Sequence, residues 1–158
     1  MGTLADLGGR YCFNSRLLAR LTEDFSEEDW GHRGDQLNAA HWVLAHITGA
    51  RRGALRLMGQ EAPRAEWEQA TALGSDRDGF KSAPLVPELL GEFEALGSKI
   101  DGRLAELGPR GLSKTTDADL PDGSSTIGEG IFGLYMHECF HLGQLSLIRR
   151  MLGKPRFM

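Results

Sequence analysis

Residues 127–153 read IGEGIFGLYMHECFHLGQLSLIRRMLG, and their periodicity decides the fold class. Ile127, Ile131, Leu134, His137, His141, Leu145, Ile148 and Leu152 recur at intervals of three and four, which marks one face of an α-helix. Gly153 and then Pro155 end the pattern as a helix stop. Two positions of that core face hold histidine where Leu or Ile would normally stand. His137 and His141, four residues apart, lie about 40° apart in projection and one turn apart along the axis. Both rings can reach one ion at the ~2.0–2.1 Å that zinc and nickel prefer.

Working outward, three more stripes share this period, and no period-2 alternation marks a strand. Leu89, Phe93, Leu96, Ile100, Leu104 and Leu107 follow Pro87, which suits a first helical turn, and Gly108-Pro109 stops them. Val43, His46, Ala50, Gly53 and Leu57 follow Asn38, read as their N-cap. Leu4, Leu7, Tyr11, Asn14, Leu18, Leu21 and Phe25 form the first stripe, with its helix expected to start only after Gly8-Gly9. Asn14 interrupts an apolar seam there, either as a buried residue that fixes register or as part of a site. Ser26-Glu27-Glu28-Asp29 reads as a capping-box start to a short turn. Residues 59 to about 83, with Trp67 and Phe80 as anchors, form one long connection, with room for a short helix; Gly108 to Ser125 form another. The expectation is an all-α four-helix bundle with two long crossover connections, residues 1–158 making a single domain.

Composition agrees with a globular chain. The 158 residues carry 18 basic and 22 acidic side chains, 41% hydrophobic and 25% charged residues. A net charge of −4 argues against nucleic acid as a partner. Apolar runs fall short of the ~18 residues that cross a bilayer, and Met1-Gly2-Thr3-Leu4 opens no secretory leader, so neither secretion nor a membrane is expected. Cys12 and Cys139 lack CxxC spacing and read as two reduced thiols of a cytoplasmic protein.

Five histidines stand at 32, 41, 46, 137 and 141. His46 occupies a stripe position like the pair in the last helix, whereas His41 lies about 140° around from it and His32 falls in a glycine-containing surface loop. Burying three imidazoles without partners would cost several kcal/mol, which a shared metal ion removes. His46, His137 and His141 are therefore the expected metal ligands. His137-Glu138-Cys139-Phe140-His141 also matches the HExxH of zincins. However, Leu142 to Met158 contain no His, Asp, Glu or Cys to serve as a downstream ligand, and no sheet precedes the motif.

These residues resemble the DinB/YfiT-like family. The likeness runs through Phe13-Asn14-Ser15-Arg16-Leu17-Leu18, through Trp42-Val43-Leu44-Ala45-His46-Ile47 and through His137-Glu138-Cys139-Phe140-His141-Leu142-Gly143-Gln144. The resemblance implies a four-helix bundle with a three-histidine site for zinc or nickel, and frequently a homodimer. Some members transfer bacillithiol or mycothiol; others are isomerases or metal-dependent hydrolases. Phe140 stands where the family often has a second histidine.

Three neutral imidazoles leave an ion its full charge and an open position, as catalytic sites do. A bound thiol or water would lose its proton readily there. The resemblance tilts the expectation to transfer of a low-molecular-weight thiol to an electrophilic small molecule. The alternatives are a metal-dependent hydrolase and a non-catalytic metal-binding bundle, a sensor or a structural protein.

Around the ligands, Gln144 either orients a ligand or bridges helices. Glu138 touches the metal's water or, preferentially, forms a surface ion pair. Cys139 points away from the metal, about 200° from His137. Arg149, Arg150, Lys154 and Arg156 suit a helix C-terminus. Glycine occurs 21 times. Gly49, Gly53, Gly130 and Gly133 fall on the faces of the ligands, where missing side chains would open either close helix packing or a substrate cavity.

Overall fold

A computed structural model describes residues 6–33, 38–72, 75, 83–118 and 123–157. Its elements are α1 (Leu7–Thr22), α2 (Glu27–Gly31), α3 (Ala40–Leu57), α4 (Glu66–Ala70), α5 (Val86–Leu112) and α6 (Ile127–Met151). Among the described residues the sole strand-like feature is an isolated bridge between Thr115 and Thr126. The all-α bundle expected from the periodicity is the observed fold, with α1, α3, α5 and α6 as its four long helices.

Contacts give the helix directions. Tyr11 reaches Ile131, Asn14 reaches Glu138 and Arg149 reaches the Leu21 carbonyl, so α1 and α6 run parallel. Arg51 bonds to the Phe93 carbonyl and Arg103 to that of Met58, so α3 and α5 are also parallel to each other. Gly8 lies against Asp101 while Gly97 lies against Ser15 and Tyr11, so α5 runs antiparallel to α1 and therefore to α6. His46 by His137 and Arg51 by Glu138 mark where α3 packs on α6. Of the two long connections, residues 58–85 thus join parallel helices, and residues 113–126 join antiparallel ones.

Local chemistry sets most boundaries. Ser26 and Asp29 form the expected capping box of α2, and Thr126 and Glu129 build another at the start of α6. Pro87 lies in the first turn of α5. Gly108 breaks that helix at φ 57°, after which Pro109 opens one more turn. The α6 helix closes at Gly153, φ 73°. The basic end of α6 does more than balance a helix dipole. Arg149 is buried and bonds to Asp24 and to the Leu21 and Pro155 carbonyls, while Lys154 pairs with Asp29.

Three expectations need correction. Helix α1 starts at Leu7 and includes both glycines, because Gly8 lets α5 approach; a Cβ there would lie 2.7 Å from the Asp101 Cα. The N-cap of α3 is Ala39, without a side-chain cap, and not Asn38. The core face of α3 is Leu44, Ile47, Thr48, Arg51, Ala54 and Leu55, whereas His46, Ala50, Gly53 and Leu57 form its half-buried edge. Leu4 and Phe80 lie outside the described residues.

Two apolar clusters fill the bundle. One gathers Leu18, Val43, Ile47, Phe93, Leu142 and Leu145; the other gathers Leu7, Tyr11, Leu55, Ile100 and Ile131. Between them Arg51, 1% exposed, spends all five guanidinium donors. Nε and Nη2 clamp Glu138 at 2.7 and 2.8 Å, and the others reach Ser15 Oγ and the carbonyls of Tyr11 and Phe93. Gly97 leaves the room, since a Cβ there would lie 2.7 Å from Arg51 Nη1.

Candidate metal centre

The three histidines singled out by spacing meet between α3 and α6. His46 Nε2 lies 2.9 Å from His137 Nε2, and His141 Nε2 lies 3.1 Å from it. All three ligand atoms fall within 4.8 Å of one another, a group that could hold a metal ion. Nitrogens sharing one ion at ~2.0–2.1 Å sit ~2.8–3.4 Å apart across octahedral and tetrahedral geometry, a range that contains the 2.9 and 3.1 Å separations found.

Hydrogen bonding decides which ring atoms face inward. His46 Nδ1 lies 2.6 Å from the Thr71 carbonyl, and His141 Nδ1 lies 2.8 Å from Gln144 Oε1. Both partners are acceptors, so both Nδ1 atoms carry the proton and both Nε2 atoms turn lone pairs to the centre. At most one of the three converging nitrogens, that of His137, then has a proton to share. Lone pairs aimed at one point, with acceptors fixing the tautomer from behind, form the donor set a divalent metal requires.

Electrostatics agrees. Burial and the neighbouring His141 push His46 down to about 4 from 6.5. Burial, with His141 and His46 beside it, brings His137 likewise to about 4. His141 is lowered by burial against the opposing bond to Gln144. The rings are therefore neutral at pH 7, the state in which imidazole ligates metals.

A cavity of about 1320 Å³ adjoins the cluster, with Trp42, Gly49, Gly130, Gly133 and all three histidines in its wall. Gly53 is not part of that wall. Trp42 stacks on His46, ring centroids 4.8 Å apart and planes 14° from parallel. Among the described residues, four buried side-chain polar atoms lack a hydrogen-bond partner: Asn38 Oδ1, Trp42 Nε1, Ser75 Oγ and His137 Nδ1. All four residues line this one cavity. Unspent donors and acceptors in one place are what a polar ligand would satisfy.

The remaining expected residues divide between this cavity and the core. Gln144 acts as the orienting partner of His141 and Gly133 lies in the cavity wall. Glu138 is 1% exposed and forms no surface ion pair; its carboxylate is taken by Arg51 and Asn14. The same bond assigns Asn14 to the core, and Cys139 Sγ lies 3.7 Å from its amide, on the α1 side of α6. His41 bonds to the Pro84 carbonyl and His32 caps α2, both apart from the cluster.

Sequence reasoning missed Trp42, Thr71 and Arg51. Trp42 was findable, four residues before His46 and on its face. Thr71 acts through its backbone, which carries no side-chain signature.

A family profile described as the DinB superfamily matches residues 13–145, from the residue before Asn14 to the residue after Gln144. The chain belongs to the DinB superfamily. No curated protein matches it. The three histidines of this DinB-superfamily chain all fall inside the matched span, as do Gln144 and the Arg51–Glu138 pair.

Proposed function

We propose that this protein is a metal-dependent transferase that joins a low-molecular-weight thiol to an electrophilic small molecule, with His46, His137 and His141 holding zinc or nickel. The observation that carries the reading is the convergence of three neutral imidazoles beside a cavity with unspent polar atoms. When bound, a divalent ion with neutral ligands supplies the positive charge that favours the deprotonated form of a thiol at neutral pH.

The chain's own residues do the rest. The Thr71 carbonyl and Gln144 hold the imidazole tautomers, Trp42 fixes the His46 ring plane, and Gly130 and Gly133 keep the cavity open beside His137. In the net reaction the thiol sulfur forms a bond to the electrophilic carbon. The leaving group departs with its electron pair, and the S–H proton leaves with it. The whole chain serves as one domain, and its two unpaired thiols suit the reducing cytoplasm. Among the described residues no helix is long and apolar enough to cross a membrane.

Elemental analysis with a thiol-transfer screen tests this. The purified protein is expected to hold a stoichiometric ion, and His46→Ala, His137→Ala and His141→Ala each to lose it while keeping their helix content. Chelation should stop consumption of thiol and electrophile together. Full metal content in all three variants would overturn the ligand set. Hydrolysis without a thiol would favour a hydrolase, and unfolding on chelation with no activity a structural or sensing metal.

A further inference from the structure

Helix α4 has five residues, too few to be stable alone, since isolated helices shorter than ~12–15 residues are marginal in water. Tertiary anchors hold it. Trp67 is buried in the apolar cluster with Val43 and Phe93. The Glu68 carboxylate accepts from Arg52 Nε at 2.9 Å and from Arg56 Nη2 at 2.6 Å, and it caps the Ala65 N–H at 2.9 Å. Arg52 and Arg56 stand four apart on one face of α3, and they also donate to the carbonyls of Pro63 and Ala62. A Cβ on Gly49 would already touch Glu68 Cγ at 3.5 Å, so α4 lies directly on α3.

A tie runs from this anchor to the histidines. Thr71, 1% exposed, comes three residues after Glu68, and its hydroxyl donates back to the Glu68 carbonyl at 3.3 Å. Its own carbonyl accepts the Nδ1 proton of His46. His141 finds its acceptor, Gln144, three residues on in its own helix. His46 finds its acceptor 25 residues away along the chain. Of the nine residues from Arg64 to Ala72, all but Trp67 and Ala70 line the cavity. The segment that orients His46 is therefore also a wall of that cavity.

We propose that Glu68 is a positioning residue of the metal centre. By pinning α4 to Arg52 and Arg56 it holds the Thr71 carbonyl on His46, so metal affinity and the seating of this wall depend on each other. The inference rests on His46 being a metal ligand. Outer partners of ligating imidazoles typically change metal affinity by about 10- to 100-fold. The coupling is reciprocal: whatever factor the seated wall adds to metal binding, bound metal adds to seating.

Competition titrations with Zn²⁺ and Ni²⁺ on the full chain, with hydrogen exchange read at the amides of residues 66–72, test it. Glu68→Gln should bind metal about 10-fold more weakly than wild type, with its helix content unchanged by circular dichroism and with faster exchange at 66–72. Losing a nearby negative charge would by itself weaken a cation, and Arg56→Gln separates the two causes. That variant removes a positive charge from the cavity wall, so a charge effect alone would tighten metal binding. Loss of the Glu68 anchor weakens binding instead, and that is the expected result. Glu106→Gln, which breaks the exposed pair with Arg103, should keep the wild-type affinity. Saturating metal should slow exchange at 66–72 of wild type by about the same 10-fold. A wild type that holds no metal would overturn this role together with the ligand set. A metal-holding wild type would overturn the positioning role alone if Glu68→Gln binds equally well, or if Arg56→Gln binds as well or better. So would exchange at 66–72 that metal leaves unchanged.

Discussion

At the scale of single residues, the bundle depends most on a side chain that composition conceals. Arg51 and Glu138 are both buried, and each is satisfied through the other together with Ser15, backbone carbonyls or Asn14. Removing one partner leaves a charge in a low-dielectric interior, a loss of about 3–5 kcal/mol. Arg51→Met and Glu138→Leu should each lower stability by that amount in urea unfolding. The double variant should lose less than the sum, because no charge is left unpaired. The histidines were legible because a pair of imidazoles on an apolar stripe is costly to bury unless an ion or another polar group satisfies it. The roles of Arg51 and Glu138 were not, since a charged residue inside a helix is normally solvated. The buried Arg51 also turns the core face of α3 away from His46, Ala50 and Gly53 of the expected stripe, while Val43 stays in the core.

At the scale of elements, helix existence and order could be read from the sequence, because the 3.6 period persists over whole segments. Boundaries failed where tertiary contact overrode local preference. Gly8 and Gly9 weaken a helix by propensity, yet both lie inside α1. Their environments differ, which yields a prediction of opposite sign. A Cβ placed on Gly9 would meet no atom within 4 Å, and Gly9→Ala should stabilise by about 0.5–1 kcal/mol. A Cβ at Gly8 would lie 2.0 Å from Asp101 Oδ1 and 2.7 Å from its Cα. Gly8→Ala should therefore destabilise by about 1–3 kcal/mol, overpacking outweighing propensity. Thermal melts of the two single variants read the contrast directly. The short α4 owes its place to Trp67, which is buried against the cluster that includes Val43 and Phe93, an anchor visible in sequence without its destination.

For the whole molecule, the lowered histidines make stability depend on pH in the metal-free protein. His46 and His137 titrate near 4 in the fold and near 6.5 in an unfolded chain. Between those values the unfolded state binds more protons, so stability falls as pH drops from 6.5 to about 4 and is flat above that window. Urea midpoints of chelated protein across that range should show the decline. Changing His46 and His137 together to Gln should reduce it, leaving the part that the buried His141 contributes. A second whole-molecule consequence follows from Arg51. It belongs to α3 and contacts α1, α5 and α6, helices drawn from every quarter of the chain. A half-assembled bundle would strand its charge without acceptors, so any pair or trio of helices is penalised until the last one arrives. Folding should therefore proceed as a single kinetic event with one exponential phase and a V-shaped denaturant dependence, the central arginine acting as an all-or-none latch.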